Sequence, residues 1–459
     1  MAGEGVRAEL EATLRLALPL AAAQLSQVLM GVTGAAMMGR LGGAALAAGG
    51  LGAALFFTVT IVFQGVLNAV GPLAAHALGA GAAGRVGTIV AHGLFILAAL
   101  AAIGVIVVLN IDRGLAAIGH APPLVALTRQ FLHAAVWGLP AGLGFALFRS
   151  YLAAASRTWP VMVVLLFCLA LNAALNDALI FGRFGAPPLG VAGAGYAAAA
   201  VQWIEFLGVA GYAALQPAFR AHGLGTALLR PNWREAAPIL QLGWPIAGIF
   251  ATEVGVFTAT ALLAGLLGTA ALAAHQVAIG ICSLTFMVPL AFSQAATVRV
   301  ALADGAGRLA AARRAGVIAL ACGVGFMAAM SVVIILMPGA IVAIYLDRAD
   351  PANAGAVATA GRLLVIAALF QVFDGTQTIA AGALRGLKDT RVPLLVGAIG
   401  YWPIGFFGGW IMAFPLGFGP AGLWWGLALG LAAVALPLTL RFRRLTRRPP
   451  LQGAGEAPY

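Results

Sequence analysis

Charge is what this sequence has least of. Asp, Glu, Lys and Arg make up 9% of its 459 residues and hydrophobic residues 62%, whereas a soluble globular chain carries about 25% charged residues. No polar stretch long enough to fold alone separates the apolar runs, so a soluble domain is not expected. Cysteine is scarce as well. Cys168, Cys282 and Cys322 are scattered through apolar runs without ligand spacing, which excludes a disulfide framework and a thiolate metal site and leaves them as small core residues. The first residues, MAGEGVRAELEAT, contain acidic side chains and lead into a full-length apolar span, so they do not read as a cleaved signal peptide. Within the apolar runs there is no paired nucleophile and base and no cluster of metal ligands, so an intramembrane enzyme is not expected. The net charge of +12 does not point to nucleic acid, because the basic residues sit at loop edges beside apolar runs, where they set topology and meet lipid headgroups.

What is there is apolar length. About twenty apolar residues cross the hydrocarbon of a bilayer. On that measure the chain has twelve spans, at 14–38, 44–77, 88–109, 124–148, 161–181, 191–215, 239–264, 270–300, 315–337, 362–383, 394–413 and 421–440. The second and eighth are longer than needed and should tilt or project from the membrane. An even number puts both termini on one side. With the termini in the cytoplasm, twenty basic residues fall inside: Arg7, Arg15, Arg85, Arg149, Arg157, Arg220, Arg230, Arg234, Arg299, Arg308, Arg313, Arg314, Arg385, Lys388, Arg391, Arg441, Arg443, Arg444, Arg447 and Arg448. Only six, Arg40, Arg113, Arg129, Arg183, Arg348 and Arg362, fall outside, a firm positive-inside bias.

The chain also repeats itself. At a constant offset of 226 residues, Pro19 meets Pro245, Gly39-Arg-Leu-Gly42 meets Gly265-Leu-Leu-Gly268, and Gly79-Ala-Gly81 meets Gly305-Ala-Gly307. Ala44–Ala48 matches Ala270–Ala274 at the same offset, and Gly190-Val-Ala-Gly193 resembles Gly419-Pro-Ala-Gly422. Two six-helix lobes in parallel orientation follow, residues 1–215 and 239–459, the second ending in a basic tail, with a cytoplasmic linker at 216–238. Repeats of this kind are the mark of a transporter in which two bundles rock about a shared cavity. Pro19, Pro140, Pro245 and Pro289 are placed to bend their helices by removing a backbone bond.

Four acidic residues lie within spans: Asp177, Glu205, Glu253 and Asp374. Glu253 is the one ionisable side chain in the run Trp244–Thr269. An acidic side chain at such depth costs roughly 2.5–3.5 kcal/mol on insertion scales and marks an ion or substrate path. Glu253 and Asp374 are therefore the candidate cation carboxyls of the second lobe, as ligands of Na⁺ if the coupling ion is sodium. Gln276, beside His275 at the start of the eighth span, can donate and accept hydrogen bonds to a ligand or a carboxyl. Asn172 and Asn176 lie four apart on one helix face just before Asp177. Phe257, Phe286, Met287, Phe370 and Gln371 are candidates to line a cavity for greasy cations, and Glu205, beside Trp203 and Phe206, is as well placed for helix packing as for transport.

Ala273-Ala-His-Gln-Val277, Met38-Gly-Arg-Leu-Gly42, Leu171-Asn-Ala-Ala-Leu-Asn176, Gln371-Val-Phe-Asp374 and Ala380-Ala-Gly-Ala-Leu-Arg-Gly386 together resemble the multidrug and toxic compound extrusion (MATE) family in its NorM-type bacterial branch. The resemblance covers essentially all twelve spans. Glu253 falls where that branch has its seventh-helix glutamate and Asp374 where it has its tenth-helix aspartate. The resemblance implies two six-helix lobes in a V that exchange cationic drugs for Na⁺ or H⁺. Two positions depart from it. Gly34 stands where the family has a first-helix aspartate, which throws the weight onto Glu253 and Asp374 and leaves Asn172, Asn176 and Asp177 as the polar set of the first lobe. Phe370 stands where a tyrosine is common, which removes a cation-ligating hydroxyl.

The expectation is an all-α integral membrane protein of the bacterial inner membrane, multi-pass and monomeric. It should export cationic or amphiphilic small molecules in exchange for Na⁺ or H⁺, with no other cofactor. A flippase for a lipid-linked oligosaccharide or another amphiphile is the rival reading. It would need several basic residues in mid-span for a pyrophosphate, and those positions are nearly free of them.

Overall fold

The structure is a computed structural model that describes residues 2–217, 222–228, 232–347 and 350–447. Arg220, Arg230, Arg348, Arg448 and the end of the basic tail lie outside the described residues. Among those described there is no strand, and twelve helices are long and apolar enough to cross a membrane. They run Gly5–Arg40, Gly43–Gly79, Ala83–Ala117, Pro122–Ala154, Trp159–Phe181, Val191–Leu215, Trp233–Leu266, Thr269–Gly305, Leu309–Leu336, Ala354–Gly386, Arg391–Ala413 and Gly419–Leu445. Each overlaps one expected span. Most are longer, because helical hydrogen bonding continues past the apolar stretch that hydropathy registers.

Prolines break some of these helices, though mostly not the ones marked in the sequence. The second span is interrupted at Asn68 and Ala69. Pro72 cannot donate to the carbonyl of Asn68, four residues back, so the ladder opens there. The fourth span has a 3₁₀ turn at Val136–Gly138, just before Pro140, and the eleventh has a π turn at Gly400–Phe407 containing Pro403. Pro19, Pro245 and Pro289 lie inside continuous helices.

The internal repeat is visible in backbone geometry. Gly42 and Gly268 have φ/ψ of 115/165 and 109/168, a region that only glycine enters without strain. Around them, Leu41→Met38, Gly42→Gly39 and Leu46→Gly42 recur at an offset of 226 as Leu267→Ala264, Gly268→Gly265 and Leu272→Gly268. A second shared turn ends the fourth and tenth spans. There Ser156 and Lys388 both take left-handed φ, 58 and 60. The bonds Arg157→Leu152 and Asp389→Leu384 close the two turns alike.

By packing, the chain divides into two compact units, Leu18–Ala77 with Ala82–Phe250, and Ala251–Tyr459 with Met1–Ala17 and Leu78–Gly81. The pillar of the first is the fourth span, 83% buried across its apolar window against 22% for the third. Phe145, Tyr151 and Leu132, Leu139, Leu143, Leu147 and Leu152 are fully enclosed along it. The second unit has two central helices, the tenth and twelfth spans, at 50% and 56%. A polar side chain on such a helix must be met by protein rather than by lipid or water. That sets up the site.

Candidate functional site

Along the tenth span Gln371, Asp374 and Gln377 follow at steps of three, and Thr378 and Arg385 lie four and eleven residues past Asp374, so all five fall on one broad helix face. Asp374, Gln377, Thr378 and Gln371 are all buried. Small residues on that face let neighbouring helices come close. A Cβ at Gly382 would overlap the Ser293 side chain and carbonyl of the eighth span. At that contact Ser293 Oγ donates to the Thr378 carbonyl at 2.7 Å and Thr297 Oγ1 to the Gly382 carbonyl at 2.8 Å.

The seventh span brings Glu253 to the same level. Gln377 Nε2 lies 3.4 Å from Glu253 Oε1 and 3.3 Å from Asp374 Oδ1, and it donates to Thr378 Oγ1 at 2.8 Å. On the other side of the amide the Tyr401 hydroxyl, from the eleventh span, donates to Gln377 Oε1 at 2.9 Å. The two carboxyls expected to act together thus converge on one amide nitrogen. Arg385 sits further along the tenth span, donates to Ser293 Oγ at 3.0 Å, and contributes its positive charge to the field at Glu253. Two acidic groups and one arginine give the cluster a formal charge of −1 when both carboxyls are ionised.

Gln377, Tyr401 and Arg385 were not among the expected site residues. Gln377 had a signal, a polar residue three positions past Asp374 on the same face. Tyr401 had none, because nothing in the sequence sets the rotation of the eleventh span relative to the tenth.

The remaining expected residues are spread out. Gln276 lies on the exposed face of its span and takes no part in the hydrogen bonds around Gln377, whereas its neighbour His275 is buried with its ring 5.7 Å from that of Trp424. Gln371 is fully enclosed and locks helices together: it accepts from Thr285 Oγ1 at 2.9 Å and donates to Ser331 Oγ at 3.0 Å. Phe257 packs edge-on to Phe370, and Phe370 to Trp424, with ring centroids 6.0 and 5.3 Å apart. A small pocket beside this stack is lined by Val256, Phe257, Tyr401, Gly405 and Leu431, among others. Phe286 and Met287 are half-buried on the eighth span.

In the other unit, Asn172 and Asn176 are buried on the fifth span, Asn176 Nδ2 donating to the Asn172 carbonyl at 2.8 Å. The side-chain oxygen of Asn172 has no hydrogen-bond partner among the described residues. Asp177 points elsewhere and pairs with Arg183 at 3.1 Å near the helix end. Glu205, buried on the sixth span, is in the field of Arg149, whose Nη1 reaches Gln24 Oε1 at 3.4 Å.

The MatE family model matches two stretches, 19–177 and 245–411. They begin at Pro19 and Pro245, the residues paired by the internal repeat. The chain belongs to the MatE family. It is 45% identical over 439 residues to the multidrug resistance protein NorM of Burkholderia vietnamiensis, covering 95% of this chain and 94% of that one. It is 44% identical over 446 residues to a probable multidrug resistance protein NorM of Pseudomonas aeruginosa, covering 96% and 90%. Among solved structures it is similar in fold to a Vibrio cholerae MATE transporter, with a TM-score of 0.88 at 17% identity over 97% of this chain and 98% of that one. A eukaryotic MATE transporter, AtDTX14, gives 0.85 at 19% over 96% and 98%. At such identities the solved structures speak for the fold alone. The chain is a multi-pass membrane protein of a multidrug efflux transporter family, with twelve spanning helices in two repeated halves.

Proposed function

We propose that this MatE member is a secondary antiporter that expels cationic or amphiphilic compounds in exchange for H⁺ or Na⁺ by alternating access. Residues 1–215 and 239–459 form its two lobes, joined by the linker at 216–238. It works as a monomer in the bacterial inner membrane with both termini in the cytoplasm. The observation that carries the reading is the convergence of Glu253 and Asp374, from different spans, on Gln377 Nε2. Two carboxyls so close repel each other when both are ionised, so a single H⁺ or Na⁺ is bound with advantage there. When the ion is absent, the residual charge attracts a cationic substrate; when it is bound, that attraction is removed. A ligand shifts two conformations only by its differential affinity for them, and here the ion and the drug differ in the charge they require of the site. The gradient supplies about 1.36 kcal/mol per pH unit and about 2.3 kcal/mol per charge at 100 mV. Asn172, Asn176, Phe257, Phe286 and Met287 are proposed to contribute to drug binding.

The test is dye efflux in everted membrane vesicles with a pH gradient and a Na⁺ gradient imposed separately. Transport that follows one gradient and ignores the other names the ion. Transport indifferent to both removes antiport.

A further inference from the structure

We propose that Gln377 is the residue that reports the ion state of Glu253 and Asp374 to the eleventh span, through the hydroxyl of Tyr401. The proposal rests on the antiport reading above and adds the path by which ion binding is communicated.

An amide side chain has two faces of opposite hydrogen-bonding sense, an NH₂ that only donates and an oxygen that only accepts. In Gln377 the NH₂ faces both carboxyl groups and Thr378 Oγ1, and the oxygen takes the Tyr401 proton. This is the orientation that ionised carboxyls demand, since they can only accept. Binding a proton turns one carboxyl into a donor; binding Na⁺ puts a ligand there that calls for oxygen. Either event makes the amide oxygen the better partner for the site, and a half-turn about the last side-chain torsion supplies it. The NH₂ then faces Tyr401, whose hydroxyl must change from donor to acceptor. Tyr401 is 3% exposed, so its hydroxyl has no bulk water to fall back on, and a buried phenol without a partner is costly. The ion state is thus passed on as an inversion of donor and acceptor.

The receiving element is suited to respond. Tyr401 is the second residue of the π turn Gly400–Phe407, and such turns gather at functional sites. The pocket lined by Phe257, Tyr401 and Gly405 leaves space beside the ring. Gly400 and Gly405 lie against Gly430 and Val434 of the twelfth span, so a movement of the turn is felt there at once. The ionisable groups around Gln377 are Glu253 from the seventh span, Cys282 from the eighth, Asp374 and Arg385 from the tenth and Tyr401 from the eleventh. Arg385 is held by Ser293.

The experiment measures ethidium binding to the purified full-length protein in nanodiscs, at acidic pH, at alkaline pH, and at alkaline pH with Na⁺. The ratio of ethidium Kd with and without the effective ion is the coupling factor, expected at about tenfold in the natural protein. Ion binding is read independently as the ion-dependent rise in Tm. Tyr401→Phe removes only the hydroxyl and is expected to lower the coupling factor to about threefold, the part that charge neutralisation alone supplies, while keeping the ion-dependent rise in Tm. Gln377→Leu is expected to lower the coupling factor likewise; should it fail to fold, Tyr401→Phe decides alone. Unchanged coupling in Tyr401→Phe overturns the proposal. Loss of both coupling and the ion response overturns it too, since the hydroxyl would then belong to the ion site itself. The paired variant Glu253→Gln, Asp374→Asn separates the two levels: if it keeps full coupling, the antiport reading fails, whatever Tyr401→Phe does.

Discussion

At Gln377 one amide answers to two carboxyls, a threonine and a phenol, and that single side chain defines the candidate site. Replacing Glu253 by Gln or Asp374 by Asn keeps the shape and most hydrogen-bonding capacity while removing the charge. Gradient-driven dye efflux by either variant should fall at least tenfold, with membrane expression unchanged; full efflux by the double variant rejects the assignment. Residue chemistry also shows what Phe370 does instead of offering a hydroxyl. It is 1% exposed and packs between Phe257 and Trp424, so Phe370→Ala should cost about 3–5 kcal/mol of stability through the cavity it leaves, seen as a lowered Tm.

Between elements, the eleventh and twelfth spans meet along a seam of glycines. Gly422, Gly426 and Gly430 recur every four residues on the twelfth span and face Ala413, Gly409, Gly405 and Gly400. Gly405 and Gly409 are also four apart, but Gly400 and Gly405 are five apart. The π turn absorbs the extra residue and keeps both glycines on the seam. Small residues in such a seam let backbones approach closely, which is a main source of helix association in lipid. Gly426→Val should therefore cost about 1–3 kcal/mol by overpacking. Gly408→Ala, with open space around it, should leave Tm unchanged.

The linker is a second case at this scale. Tyr151 Oη and His222 Nδ1 are 2.6 Å apart, and the Asn232 N–H donates to His92 Nε2 at 2.9 Å, so two histidines hold linker residues to the first unit. Burial pushes the His222 pKa below its ordinary value. A depressed histidine pKa means that docking favours the neutral ring. Docking is at full strength above the ordinary value of about 6.5 and weakens as pH falls below it, where the released chain takes up a proton and the docked one does not. Limited proteolysis within 216–238 should accelerate as pH falls through that range, and His222→Ala should make cleavage fast and less dependent on pH.

For the whole molecule, the first turns of the first span belong with residues far away in sequence. Arg299 Nε and Nη2 donate to the two carboxylate oxygens of Glu9 at 2.8 and 2.6 Å, and the Glu9 side chain is 9% exposed. Residues 1–17 thus pack in the unit built from Ala251 onward, while the same helix continues into the other unit from Leu18. Glu9→Gln should destabilise by about 1.5–3 kcal/mol, the worth of hydrogen bonds to a charged group. Adding Arg299→Met should recover part of the loss in Tm, because the stranded charge is then gone as well.

The sequence by itself determined the twelve spans, the two-fold repeat and the presence of carboxyls in the apolar interior. These follow from quantities summed along the chain: a bilayer requires about twenty apolar residues per crossing, and it penalises every buried charge. It also sufficed to pair Glu253 with Asp374 by resemblance, and the structure shows them converging on one amide. What only the tertiary structure decided is which side chains meet. That Gln276 is exposed, Gln371 is tied to Thr285 and Ser331, Asp177 turns to Arg183, and Tyr401 closes the cluster depends on how each helix is rotated about its axis. Rotation is fixed by close contacts such as Gly382 on Ser293 and Gly426 on Gly409, and by turns opened at Pro72 and Pro403. Hydropathy, which counts apolar residues without regard to azimuth, is blind to all of these.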